Sequence, residues 1–308
     1  MRSNSRPSAT RLGCSQNDTG RSRGRCVSTG SGSDRRIPVG DGISLFCGDH
    51  AGPAPVLCLP GLTRNSRDFV PLAQHLSSGR RVLTPDLRGR GRSDRDPDWR
   101  RYRLDVYVAD MIALLDHLDI EKVVVVGTSL GGLVGMFMAA GHRARVAGLV
   151  MNDIGPELDP RGMQRIASGM GKVRAVASWE EAAADARAAN ASALPDYDDA
   201  DWSRFAHAVY REEAPERIVR DVDPMVGRAL LESSVPAPDF WAAFATLQGL
   251  PILCLRGATS DVLSADTVHR MLRIVPGMHA ETIEGRGHAP TLDEPTSRAA
   301  LDRFLARV

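Results

Sequence analysis

The chain has 308 residues, 43% of them apolar and 25% charged, with 29 Gly and 19 Pro. This is ordinary globular usage, which excludes a wholly disordered, collagen-like or disulfide-scaffold protein. The net charge of +1 hides a split, because residues 1–36 hold eight arginines against only Asp18 and Asp34; the body is mildly acidic, and nucleic acid, which needs a basic face, is not an expected partner.

Residues 1–36 contain eight Ser and only Met1, Leu12 and Val27 as aliphatics. They bury too little to offset ordering, so a disordered tail is expected. Its Arg- and Ser-rich, acid-poor character also resembles a transit peptide, but it shows neither an amphipathic period nor a secretory apolar core. The five cysteines are odd in number and lack metal spacing; Cys58 and Cys254 sit in the apolar runs VLCL and ILCL, where free Cys behaves as a small buried hydrophobe. A reducing, cytoplasmic setting and a metal-free, cofactor-free protein are the expectations, with targeting by the tail as the alternative.

From Ile37 the pattern changes. Val56–Leu59 and Val82–Thr84 read as short buried strands, and Leu104, Val108, Met111, Ile112, Leu115 and Leu118 form a helical stripe. Val123–Val126 and Val146–Met151 read as further strands, as do Ile252–Leu255 and Ala280–Ile283 near the end. Repeated strand–helix alternation predicts an α/β fold, a mostly parallel sheet flanked by helices. The uncharged stretch Val123–Ala140 has a membrane-helix length, but Gly127, Gly131, Gly132 and Gly135 interrupt it, so a strand, a turn and a buried helix are expected and no membrane span.

Between residues 155 and 248 helix patterns follow one another without an intervening strand. Asp159-Pro160 starts one, with Gly171 past its end; Ser178 and Glu181 make a capping box; Trp202, Phe205, Ala206 and Val209 repeat at helical spacing, as do Phe240, Phe244 and Leu247. The expected organisation is therefore a tail (1–36), a core in two pieces (37–154 and 249–308) and a helical cap (155–248).

Three loops carry chemistry. Gly127-Thr128-Ser129-Leu130-Gly131 lies between a strand and an apolar helix, where a sharp turn projects a serine hydroxyl at the carboxyl edge of the sheet. His288 lies in Glu284-Gly285-Arg286-Gly287-His288 after the last strand, and Asp261 in Arg256-Gly257-Ala258-Thr259-Ser260-Asp261 after the preceding one. Both loops open at the same edge, so Ser129 as nucleophile, His288 as base and Asp261 as acid form the candidate triad. Asp153, after strand Val146–Met151, competes for the acid's place. The backbone amides of Leu62, after Pro60-Gly61, and Leu130 are the candidate oxyanion donors.

On these residues the chain, over 37–308, resembles the α/β-hydrolase-fold serine esterases and lactonases. Asp86-Leu87-Arg88-Gly89-Arg90-Gly91-Arg92-Ser93 resembles their D-x-R-G-x-G-x-S loop. Pro60 departs from the His that many relatives carry there, and Ser129 stands where epoxide hydrolases and haloalkane dehalogenases carry Asp. The resemblance implies a carboxylic ester hydrolase acting on a small-molecule ester; a lactonase or a C–C bond hydrolase is the alternative within that chemistry, and a ligand-binding receptor with residual activity the alternative outside it. Trp179, Trp202, Phe205, Phe240, Trp241 and Phe244 in the cap are candidate substrate contacts, with the cap's own core as their other use.

Overall fold

The apolar runs build the middle of an eight-stranded sheet. A computed structural model describes residues 32–170, 174–232, 235–236 and 238–308. Strands β1 (Gly32–Gly40), β2 (Ile43–His50) and β3 (Pro55–Leu59) lead into helix α1 (Val70–Leu76) and β4 (Arg81–Pro85). Helix α2 (Leu104–His117), β5 (Val123–Thr128), α3 (Leu130–Gly141) and β6 (Val146–Asn152) follow. Before the sheet resumes come α4 (Pro160–Met170), α5 (Trp179–Asn190), α6 (Asp199–Val209), the hairpin β7 (Tyr210–Ala214) and β8 (Arg217–Arg220), α7 (Met225–Glu232) and α8 (Phe240–Ala245). The chain closes with β9 (Ile252–Gly257), α9 (Ala265–Ile274), β10 (His279–Ile283) and α10 (Pro295–Leu305).

The strand order is β1-β2-β4-β3-β5-β6-β9-β10, antiparallel at β1–β2 and β2–β4 and parallel elsewhere. Alternation along each strand explains the continuous apolar runs. Leu57, Leu59, Val125, Leu149 and Met151 face a core shared with α2 and α3, whereas Val56, Cys58, Val124, Val126 and Val150 face one shared with α1 and α10. Both faces are covered, so the central strands are apolar up to the polar residues Thr128 and Asn152 at their carboxyl ends. The stretch from Val123 to Ala140 is β5 and α3, and among the described residues no helix is long and apolar enough to cross a membrane.

Two expectations change. Residues 32–36 are not loose: Ser33 pairs with Asp49, Asp34 with Gly48 and Arg36 with Phe46 in the β1–β2 ladder. Their polarity suits an edge strand whose outer side faces water, and Arg35 reaches Asp49 at 2.9 Å. The expected disorder of residues 1–31, with Cys14 and Cys26, lies outside the described residues, as does Gly171. Deleting residues 1–36 is expected to lower the melting temperature, by roughly 2–4 °C for each kcal/mol of lost pairing; an unchanged thermal scan would show that this half of β1 contributes nothing.

The second change is the β7–β8 hairpin, in a region expected to be helical throughout. Tyr210 pairs with Arg220 and Glu212 with Ile218, and buried Tyr210 and Ile218 join the cap's cluster while the charged residues between them face outward.

Candidate active site

The elbow's glycines are explained by backbone proximity. A Cβ on Gly127 would lie 2.3 Å from the carbonyl of Gly131, and one on Gly131 would lie 2.1 Å from the carbonyl oxygen of Leu59. Only glycine lets β5, α3 and β3 approach this closely. Between them Ser129 is held at φ 52°, ψ −117°, a conformation that L-residues rarely adopt. Its amide donates to the Asn152 carbonyl at 3.0 Å, and its side chain projects at the amino end of α3.

His288 meets it there. Its Nε2 lies 3.0 Å from Ser129 Oγ, and its Nδ1 lies 2.8 Å from Oδ2 of Asp153. With Nδ1–H donated to the carboxylate, Nε2 is left to accept the serine proton. Asp153 is fully buried and sits at φ 55°, a region Asp tolerates better than most residues. Two more donors compensate its burial: Gly257 N to Oδ1 at 2.8 Å and Ser260 Oγ to Oδ2 at 2.6 Å.

The expected acid, Asp261, is placed elsewhere. Its carboxylate takes the Nε and Nη2 donors of Arg165, at 2.6 and 2.8 Å, and is one-third exposed. The Arg165 guanidinium holds the Asp261 carboxyl below the usual carboxylate range. The loop from Gly257 to Asp261 thus meets the carboxylate of Asp153, through the Gly257 amide and the Ser260 hydroxyl. The physical reason is competition: a guanidinium on α4 captures Asp261, while three donors converge on Asp153 at the end of β6.

Glu294, which the sequence reading missed, brackets the histidine loop from both sides. It accepts from Arg286 Nε (2.8 Å), from Thr291 N and Oγ1 (2.9 and 3.0 Å) and from Ser297 Oγ (2.7 Å). An acid that follows a Pro-Thr turn and precedes Pro295 at a helix start was the available signal. Burial pushes this carboxyl up, but its hydrogen bonds from Thr291 and Ser297 prevail and hold it below the usual range. Its stabilising contribution is then complete above the unfolded value of about 4.5 and is lost as pH falls through the lower folded value. Glu294→Gln is expected to cost about 1–3 kcal/mol near neutrality. The gap between wild-type and variant urea midpoints should narrow as the pH is taken below the unfolded value; a gap independent of pH would show that ionisation of Glu294 is irrelevant.

Of the two expected oxyanion amides, neither Leu62 N nor Leu130 N makes a hydrogen bond among the described residues; Leu62 lines the cavity that holds Ser129. The Leu62 peptide is held from behind, because buried Arg90 donates Nε to its carbonyl at 2.9 Å and Nη1 to Tyr107 Oη at 2.8 Å. Arg88 pairs with Asp110 and Asp96, and Asp86 accepts from the amides of Ser66 and Arg92. The Asp86–Ser93 loop therefore braces the turn that carries Leu62.

The model of the alpha/beta hydrolase fold family matches residues 54–177. Over 268 residues the chain is 34% identical to a 3-hydroxybutyrate-oligomer hydrolase of Cupriavidus necator, covering 84% of this chain and 90% of that one. The chain belongs to the α/β-hydrolase fold family. An sn-1-specific diacylglycerol lipase of Xenopus laevis is 28% identical over 79% of the chain and 76% of its own length. A crystal structure of an α/β hydrolase from Novosphingobium aromaticivorans is 42% identical and superposes with a TM-score of 0.84, covering 90% of this chain and 99% of that one.

In this α/β hydrolase a cavity of about 610 Å³ lies between the sheet edge and the helices inserted after β6, lined by Ser129, His288 and Leu62 on one side and Ile166, Leu194 and Phe205 on the other. Of the six cap aromatics expected to contact substrate, Phe205 lines it. The others pack elsewhere. Trp202 is buried in the cap's own cluster, Trp179 stacks on His207 at 3.8 Å, and Phe240, Trp241 and Phe244 pack on the main core, Phe240 edge-on to Phe137 at 5.6 Å. Large rings are used first as packing, two of them within the cap's own cluster and three against the main core, so aromatic density alone does not locate the cavity wall.

Proposed function

We propose that this hydrolase cleaves carboxylic esters through an acyl-enzyme on Ser129, with His288 as base and Asp153 as the acid that holds it. The observation that carries the reading is the unbroken hydrogen-bond chain from Ser129 Oγ through His288 to Asp153. Ser129 attacks the carbonyl carbon while His288 Nε2 takes its proton; the oxyanion forms toward the amides of Leu62 and Leu130; His288 then gives the proton to the leaving alcohol. Water, deprotonated by the same nitrogen, releases the acid. Asp153 orients the ring and stabilises the imidazolium without taking the proton.

The oligomers cleaved by the Cupriavidus necator relative are chains of hydroxy acids joined by ester bonds, and the similarity spans nearly the whole of both proteins. Short aliphatic oligoesters are therefore the substrates to try first. Purified protein is expected to turn over the 3-hydroxybutyrate dimer and p-nitrophenyl butyrate faster than an enol-lactone or a dienone ring-cleavage product. Faster cleavage of the lactone or of the C–C bond would replace this reading with one of those two.

A further inference from the structure

We propose that Arg64 is a carboxylate-binding residue of the cavity, so that the preferred substrates are esters carrying a free carboxylate. This rests on the ester-hydrolase reading and deepens it. Arg64 closes the turn that carries Leu62, its amide donating to the Gly61 carbonyl at 3.1 Å. A Cβ built on Gly61 would lie 3.5 Å from Arg64 Cγ and 3.7 Å from Ser129 Cβ. The stem of the arginine and that of the nucleophile thus flank one bare glycine.

The guanidinium is fixed before any ligand arrives. Nε and Nη2 donate to the two oxygens of Asp68 at 2.7 and 2.6 Å, and the Phe205 ring of the cap lies 4.1 Å from its central carbon. Its side chain is 23% exposed. Nη1 makes no hydrogen bond among the described residues, which leaves one donor of a guanidinium that lines the same cavity as Ser129 unused. Tyr197 also lines the cavity and its hydroxyl has no hydrogen-bond partner among the described residues. Burial pushes that phenol up.

The other cavity arginines are committed differently. Arg67 holds the Ala208 carbonyl and Asp221, Arg286 holds Asp196 and Glu294, and Arg204 is 72% exposed beside Asp201. Arg165 has an unused edge too, but it reaches in from the cap and is 40% exposed. Asp68 offsets the charge of Arg64, yet a carboxylate on the Nη1 edge lies nearer the guanidinium than the far-side Asp68, so attraction exceeds repulsion. A neutral group in that place would leave the donor edge desolvated and unpaired, and sites built to hydrogen-bond reject analogues that lack the partner.

The test compares the 3-hydroxybutyrate dimer as free acid with the same dimer capped as its carboxamide. The wild type is expected to favour the acid by about 10- to 100-fold in kcat/KM, mainly through KM, the size of a hydrogen bond to a charged group. In Arg64→Gln that ratio should collapse toward one, and in Arg64→Lys it should be partly kept. A wild-type ratio near one overturns the proposal, as does an Arg64→Gln variant in which both substrates slow equally, because that is the signature of a structural role. Failure to hydrolyse any ester, p-nitrophenyl butyrate included, overturns the ester reading itself; turnover of p-nitrophenyl butyrate without acid preference overturns only the role of Arg64.

Discussion

Asp153→Asn is expected to lower kcat on an ester by about 10⁴-fold, the loss that follows when the acid of a serine hydrolase becomes the isosteric amide. Asp153 accepts from three donors: the Gly257 amide, the Ser260 hydroxyl and His288 Nδ1–H. An amide side chain has one oxygen, so its NH2 must face either the Gly257 N–H, which can only donate, or the side shared by Ser260 and His288. Either Gly257 N loses its acceptor inside the protein, or His288 is driven to the tautomer in which Nε2 cannot accept the serine proton. Asp261→Asn changes none of these contacts. It weakens a partly exposed pair with Arg165 between the Asp261 loop and α4, so its effect on kcat should stay below about tenfold. Steady-state kinetics on p-nitrophenyl butyrate, with circular dichroism to confirm that both variants fold, decides the ranking. If Asp261→Asn were the slower enzyme, the acid would belong to the β9 loop.

Ser129→Ala should cost more, about 10⁶-fold in kcat, as for the nucleophile of another serine hydrolase. Only one polar atom is removed, and the bond lost is the 3.0 Å contact with His288. Alanine keeps the close packing of Gly127 and Gly131 against the elbow. Binding of an unreactive substrate analogue should therefore change little, whereas covalent labelling by a fluorophosphonate should vanish. Persistent labelling would place the reactive hydroxyl elsewhere.

The positions of Ser129 and His288 were legible because each lies in a glycine-marked loop after a strand, Ser129 after the apolar run of β5 and His288 after the short edge strand β10. The partner of His288 was not. Asp153 and Asp261 both follow strands, and the difference between them is made by residues far away in the chain: Arg165, which captures Asp261, and Ser260 and Gly257, which turn toward Asp153. No local pattern encodes such a competition. The strand at residues 32–36 escaped notice for another reason, since its side chains are exposed and only its backbone is used. The β7–β8 hairpin is four or five residues on each side with buried residues at Tyr210 and Ile218, too short for alternation to stand out among helices. For the cap aromatics the sequence leaves two uses open, substrate contact or packing; Phe205 lines the cavity and the other five pack elsewhere.

The central claim is that Ser129 carries the acyl group between two half-reactions. Its most direct test is to mix the enzyme with a sterically hindered p-nitrophenyl ester, chosen so that deacylation is slow, and to follow both p-nitrophenol release and the mass of the quenched protein. A burst of about one equivalent of p-nitrophenol per enzyme is expected, together with an adduct of the acyl mass on the peptide containing Ser129 and none in Ser129→Ala. Steady turnover of the ester with no burst and no adduct, or an adduct on another residue, would contradict it.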